Sequence, residues 1–242
     1  MSHGDRKSTE TGTRLANERG MTKFAPVPWT RRDQARRVLN LTIAALALLL
    51  ALPVMVIIAI LIKLTSDGPV LFTQQRIGLD RRALGKAPGN FRRHADSGGR
   101  TFSMYKFRTM RVDGGASPQV WAQRDDPRVT PVGRVLRKFR LDELPQLWNV
   151  LVGDMNVVGP RPEQPTIFVE LREQIEEYHR RQRVLPGITG RAQINRAYDS
   201  CLDDVREKLN YDLEYIRHRS ALEDLKIMLL TPAVMLGRRG GW

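Results

Sequence analysis

Polar and apolar positions divide the chain into three zones. Residues 1–30 are polar, mix Gly, Ser, Thr and Arg, and show little periodicity; that pattern predicts a disordered basic tail. Leu41 to Ile62 is an uncharged apolar run of 22 residues. As one helix it would reach about 33 Å, enough to cross a bilayer. Pro53 stands near its midpoint, removes a backbone donor and leaves two halves of about 14–18 Å each. Basic residues flank both ends, with five Lys/Arg in 21–40 and four in 63–82. Basic flanks sort to the cytoplasm, so two of them predict a re-entrant segment over 31–65, a helix–break–helix that dips in, bends at Pro53 and returns. A single spanning anchor is the alternative, because proline is tolerated in spanning helices. A signal peptide does not fit: the run starts too late and no small-residue cleavage site follows it.

Residues 66–242 read as a separate body of mixed strands and helices. Val70 to Phe72 follows the turn residues Asp67, Gly68 and Pro69 and predicts a short strand; Phe102 to Val112 alternates and predicts another. Between them, 83–100 is rich in Gly and basic residues and reads as an exposed loop. Phe168, Leu171, Ile175 and Tyr178 recur on one face of a helix expected over Thr166 to Arg183. Asp203 to His218 predicts a further amphipathic helix. Ala221 to Leu236 is apolar over much of its surface and predicts a helix lying on the membrane. The expected fold class is therefore α/β in the broad sense, α+β and mostly helical, with one membrane helix packed on a small catalytic-sized domain.

Charge narrows the partners. Forty Lys/Arg against 26 Asp/Glu give a net charge of +14, which favours an anionic partner: nucleic acid, phosphate-bearing substrates or an anionic bilayer. Hydrophobic content of 41% excludes both full disorder and a polytopic membrane protein. Cys201 is the only cysteine, so no intrachain disulfide forms. The four histidines are scattered without ligand spacing, which argues against zinc.

The densest chemical signal is Arg134 to Pro162. Leu144, Leu147, Trp148 and Leu151 give a helical face that Gly153 stops, and Pro145 belongs in the first turn. Asp142 and Glu143 are then expected at that helix N-terminus. Acidic residues there are often simple dipole partners. With Arg134, Arg137, Lys138 and Arg140 just before them, they also describe a metal–phosphate site, with ionised carboxylates available as nucleophile or Mg²⁺ ligand. Lys106 and Arg108 alternate along a strand, about 7 Å apart, and suit a phosphate or diphosphate as well as they suit solvent. Arg161 is fixed between Pro160 and Pro162. Pro186, Gly187, Thr189 and Gly190 form a second turn where backbone can approach a ligand closely.

These pieces occur in a specific order: SDGP at 66–69, QRIG at 75–78, KFRTM at 106–110, DPRVT at 126–130, LDELPQLWNVL at 141–151, GDM at 153–155, VGPRP at 158–162, and PGITG at 186–190 with Ala192 and Gln193. In that order and spacing, from about Arg36 to Leu236, the chain resembles bacterial sugar transferases of the monotopic phosphoglycosyl transferase family, which initiate glycan assembly on polyprenol phosphate. The resemblance implies transfer of a sugar-1-phosphate from a UDP-sugar to undecaprenyl phosphate with release of UMP, at the cytoplasmic face of the bacterial inner membrane. It implies Asp142 as nucleophile and Glu143 as its partner, with Mg²⁺ held by Glu143 and Asp142. Lys106, Arg108, Arg137 and Arg161 are the expected phosphate contacts. The turns bearing Pro160, Pro162, Pro186, Gly187, Thr189, Gly190 and Gln193 are the expected nucleotide site. It also implies a membrane helix broken near Pro53. Four positions depart from the usual pattern: Leu52 replaces a serine before the proline, Arg36-Arg37 with Asn40 replaces Lys-Arg with Asp, Arg140 replaces a small hydroxyl residue, and the 83–100 loop is long. Neither the sugar nor a homo-oligomer is fixed by these residues.

The rival reading is a basic membrane-anchored adaptor for nucleic acid or acidic lipid. It accounts for the charge and the apolar run. It leaves the Asp-Glu pair among cations unexplained, and the interleaved aromatics of a nucleic-acid platform are missing, so nucleic acid is not an expected partner.

Overall fold

The computed structural model of the chain describes residues 30–80, 98–111, 126–196 and 201–236. The expected tail over 1–29, most of the expected 83–100 loop, and the end of the expected strand at Val112 lie outside these residues. The described chain is mostly helical with two small sheets and one long apolar helix.

That helix, α1, is Arg31–Thr65. Thr30 and Asp33 start it with a reciprocal cap: the Thr30 hydroxyl accepts from Asp33 N at 3.2 Å, and the Asp33 carboxylate accepts from Thr30 N at 3.1 Å. It runs through Pro53 as one element. Only 11% of its apolar window is buried, so it is not the core helix of a soluble domain. Leu46, Leu49, Leu50, Val56, Ile57 and Leu64 are all more than half exposed.

Both ends of α1 dock on the same body. The β1 strand (Leu71–Ile77) and β2 (Thr101–Phe107) form an antiparallel ribbon, with Leu71 opposite Phe107 and Ile77 opposite Thr101. β1 is longer than Val70–Phe72 because its middle is polar and half-exposed and shows little alternation. β2 stops at Phe107, and beyond it only Met110 pairs, with Val129. Helix α2 (Pro131–Lys138) follows, capped by Thr130, then a 3₁₀ turn (Leu141–Glu143) and α3 (Gln146–Val152). Near the start of α1, Ala44 packs with Met104, Leu147, Val150 and Met155. Near its end, Ile58 and Ile62 pack with Phe107 and Leu136. Leu144 lies against both clusters.

The N-terminal end is also fixed by polar contacts. Asn40 is fully buried; its Oδ1 accepts from Val157 N (2.8 Å) and Val158 N (3.1 Å), and its Nδ2 donates to Arg36 O (2.7 Å) and Asp224 Oδ2 (2.9 Å). All four capacities of the amide are used. Buried Arg36 donates to the same Asp224 at 3.2 Å and contacts the Tyr215 hydroxyl. Arg37 donates to Val150 O (2.7 Å) and Met155 O (2.8 Å), where α3 ends at Gly153.

The strand β3 (Asn156–Val158) pairs in parallel with β4 (Gly187–Thr189). Here the two Gly/Pro turns meet: a Cβ on Gly159 would lie 2.4 Å from Leu185 O, and one on Gly187 would lie 2.1 Å from Gly159 N. Only glycine allows this approach. Between them run α4 (Pro165–Gln174) and a 3₁₀ helix (Tyr178–Arg183). This corrects the single helix expected over 166–183. The periodicity is right, since Phe168, Leu171, Ile175 and Tyr178 share one buried cluster. The chain nevertheless turns extended at Ile175, so that Tyr178, Arg181 and Gln182 all pack inward; tertiary packing overrides local propensity. Short α5 (Arg191–Asn195), α6 (Leu202–His218) and α7 (Ala221–Leu236) complete the body.

Candidate active site

Glu143 is the centre of a buried charge cluster. Its Oε1 accepts from Arg161 Nη2 at 2.6 Å and Lys106 Nζ at 3.1 Å, and lies 3.4 Å from Arg140 Nη1. Three segments supply these cations: the turn after β3, the strand β2 and the end of α2. Burial opposes ionisation of Glu143, but the charges of Arg161, Lys106 and Arg140 outweigh it and hold the carboxyl well below its usual range. Lys106 is pushed down by its own burial and by Arg161, against the pull of Glu143.

Asp142 is its opposite. It is buried, 8% exposed, and makes no hydrogen bond or ion pair among the described residues. Burial first, then the charge of Glu143, push its carboxyl above the ordinary aspartate value, while Lys106, Arg161 and Arg140 pull the other way. Two adjacent carboxylates therefore sit in opposed electrostatic states, one saturated with cations and one unpartnered. They do not stand at an α-helix N-terminus as expected. They occupy the 3₁₀ turn, and Pro145 is the N-cap of α3 instead of lying inside its first turn.

The other expected residues divide. Lys106 and Arg161 converge on Glu143. Arg108 does not: it turns away to bond Ser66 O (2.7 Å), Ser66 Oγ (2.8 Å) and Asp67 O, clamping the chain where α1 ends. Arg137 donates through Nε to Thr109 Oγ1 at 3.0 Å. Pro160 O accepts from Gly187 N at 2.9 Å, Pro186 O accepts from Asn156 N at 2.8 Å, and Gly190 packs against Gly159 O. These turns thus hold one another and carry Arg161 to Glu143.

Sequence reasoning did not single out two arginines behind the site. Arg181 is buried and donates to Arg161 O (3.0 Å), Glu163 (3.2 Å) and Asp212 (2.7 Å). Arg76 donates to Pro162 O (3.1 Å); burial and the charge of Arg161 lower it to about 10. Together they fix two successive carbonyls of the turn, those of Arg161 and Pro162. Arg76 stands in the QRIG motif, and its charge inside a strand pattern was the available signal.

A cleft of about 290 Å³ opens beside the cluster. Glu143, Arg140, Arg161, Arg196 and Lys208 are its charged lining; Ala47 of α1, Leu147 and Val234 of α7 are among its apolar lining. Thr189 and Gln193 also face it, and both polar atoms of the Gln193 amide are enclosed without a partner. Asp142 and Lys106 border the cluster but not the cleft.

Among the described residues no three His, Cys, Asp or Glu side chains gather into a metal-binding group. Two carboxylates, one of them unpartnered, suit a Mg²⁺ that takes its remaining ligands from substrate phosphate and water. Glu143 Oε1 is taken up by cations and Oε2 accepts from Arg161 Nη1 at 3.5 Å, so the Asp142 carboxylate is the more open of the two to it.

Comparison with known proteins gives a consistent result. The model of a family described as bacterial sugar transferase matches residues 31–238. The chain is 41% identical over 198 residues to the UDP-glucose:undecaprenyl-phosphate glucose-1-phosphate transferase of Escherichia coli K12, covering 81% of this chain and 39% of that protein. It is 40% identical over 201 residues to an N-acetylgalactosaminephosphotransferase of Aeromonas hydrophila that acts on undecaprenyl phosphate, covering 83% and 43%. A Caulobacter vibrioides glucose-1-phosphate transferase is 39% identical over 213 residues, covering 87% and 73%. The chain thus spans about two fifths of the length of the first two relatives.

Proposed function

The chain belongs to the bacterial sugar transferase family, and from that premise we propose that it moves a sugar-1-phosphate from a UDP-sugar to undecaprenyl phosphate, with release of UMP. The observation that carries the mechanism is the asymmetry of the carboxylate pair: Glu143 gathers three cations, and Asp142 beside it is buried and unpartnered. An unpartnered carboxylate of raised basicity is a competent nucleophile. Asp142 attacks the phosphorus that bears the sugar; the bond from that phosphorus to the UMP oxygen breaks, and UMP leaves as an anion. An oxygen of the lipid phosphate then attacks the aspartyl phosphate, freeing Asp142 and forming the diphosphate-linked sugar. Neither step needs a protein proton. Glu143 holds Lys106 and Arg161 around the reacting phosphates, where preorganised charge lowers the barrier without reorganisation. Mg²⁺, when bound by Asp142 and Glu143 with the substrate phosphates, supplies further charge neutralisation on the leaving group.

In this reading α1 enters one leaflet, bends at Pro53 and returns. The support is that both ends of α1 pack on one small body while its middle is bare and apolar. Helix α7 lies at the interface, with Leu222 and Leu229 more than 70% exposed while Asp224 is buried beneath. The body faces the cytoplasm at the inner membrane, and the product begins a polysaccharide such as exopolysaccharide, capsule or O-antigen.

The test is UMP release by the purified chain in detergent with undecaprenyl phosphate and Mg²⁺, over a panel that includes UDP-glucose and UDP-N-acetylgalactosamine. At least one donor is expected to give UMP. Asp142→Asn should fold normally, because no hydrogen bond is lost, yet lose turnover by orders of magnitude. Near-normal turnover by that variant would remove Asp142 as nucleophile.

A further inference from the structure

Residue 140 sits where α2 ends, and its backbone is left-handed, with φ 56° and ψ 19°. It is the sole non-glycine residue with positive φ among the described residues. Helices commonly end on such a residue, and glycine or asparagine is the usual occupant because a Cβ is strained there. This chain carries arginine instead. Strain of this kind clusters at sites where the side chain is needed.

Glu143 does not explain the need. Arg161 and Lys106 already hold its Oε1 at 2.6 and 3.1 Å, and Arg140 is the most distant of the three at 3.4 Å. What separates Arg140 from Lys106 is the cleft. Arg140 lines it, together with Arg161, Arg196 and Lys208, and Lys106 does not; of these cations Arg140 alone is held there by a strained backbone. The same cleft is lined by Ala47, Leu147 and Val234, drawn from α1, α3 and α7, and both α1 and α7 carry exposed apolar residues elsewhere on their surfaces. A ligand matched to those walls has an anionic head joined to an apolar chain. A nucleotide sugar carries no long apolar chain to place there.

We propose that Arg140 binds the phosphate of the lipid acceptor, as a contact separate from those that take the nucleotide sugar. The assignment rests on the transferase reading above. Its binding half can be tested without turnover.

Arg140→Gly relieves the strain and removes the guanidinium; Arg140→Asn, which also tolerates the left-handed backbone, removes the charge while keeping a side chain; Arg140→Lys keeps the charge. In the full chain in detergent, Gly and Asn should each raise KM for undecaprenyl phosphate about tenfold or more, while KM for the UDP-sugar stays within about twofold. Lys should fall between them and the parent. The ligand-free melting temperature of Arg140→Gly should not drop, and undecaprenyl phosphate should raise the melting temperature of the parent but not of this variant. Inorganic phosphate and UMP serve as probes for a headgroup-only or nucleotide contact. An unchanged acceptor KM in both the Gly and Asn variants overturns the proposal, as does a donor KM that rises as much as the acceptor KM. If the parent releases no UMP from any donor, yet the lipid shifts the parent and not Arg140→Gly, the reaction reading fails and the lipid contact stands.

Discussion

Replacing Glu143 with Gln removes the one charge that three cations share. Lys106, Arg161 and Arg140 are 17%, 30% and 28% exposed at the side chain, and Glu143 is 8% exposed, so water cannot fully take its place. Breaking a buried pair by deleting one partner costs roughly 3–5 kcal/mol. Gln keeps one carbonyl acceptor, which places the expected loss near the lower end, about 3 kcal/mol. For a chain of this size that lowers the melting temperature by about 6–12 °C. The folded Glu143 titrates well below its unfolded value, so its contribution is fully present above the unfolded pKa near 4.5 and fades as pH falls through the folded one. The difference between parent and variant should therefore be largest near neutrality and close in acid. Activity carries an independent sign. The nucleophile must be ionised, so turnover is lost as pH falls through the raised pKa of Asp142, and removing the Glu143 charge lowers that pKa. Whatever activity Glu143→Gln retains should have its acid limb at lower pH than the parent. Thermal melts and UMP release across a pH series measure both. A melting temperature within 2 °C of the parent, or an acid limb that moves up, would refute the description of this cluster.

Asn40→Ala strands the N–H groups of Val157 and Val158 in the interior; at about 1–3 kcal/mol each, roughly 2–6 kcal/mol of stability should be lost, read by denaturant or thermal unfolding, and a loss under 1 kcal/mol would mean that water reaches them. Single cysteines at Thr30 and Thr65, in a Cys201→Ser background, should both be shielded from an impermeant thiol reagent in intact cells and both label once the inner membrane is opened. Labelling of the Thr30 site alone in intact cells would show a spanning helix. Pro53→Ala should move part of the population to that spanning form and lower activity.

Much of this arrangement was legible in the chain itself. The apolar run, the amphipathic faces of α4 and α6 and the bounds of α7 follow from periodicity, which burial rewards directly. The Asp142–Glu143 pair stood out because two carboxylates followed a basic run. The less legible parts depend on contacts between distant segments. Nothing local says that Lys106 turns to Glu143 while Arg108, two residues on, turns back to Ser66. The left-handed backbone at Arg140 is likewise invisible, since a strong helix former occupies it. Arg181 read as one cation in a charged helix because its partners Asp212 and Arg161 O come from other elements. The β1 strand was underestimated because a two-stranded ribbon exposed on its polar middle gives little alternation to detect.

The lock on the first helix has a consequence for the order of events during synthesis. Asn40 and Arg36 leave the ribosome well before their partner Asp224, which lies 184 and 188 residues further along. At about 5–20 residues per second, roughly 10–40 s pass between the two. For that interval the apolar segment is already made, while its polar end lacks Asp224 and has only the local carboxylate of Asp33, 3.4 Å from Arg36, to meet. Nascent chains therefore pass through a stage in which the helix is made but not yet fastened to Asp224. Products cut short before residue 224 would hold Asp142, Glu143 and every cation around them, yet lack the one carboxylate that joins Arg36 and Asn40 to α7.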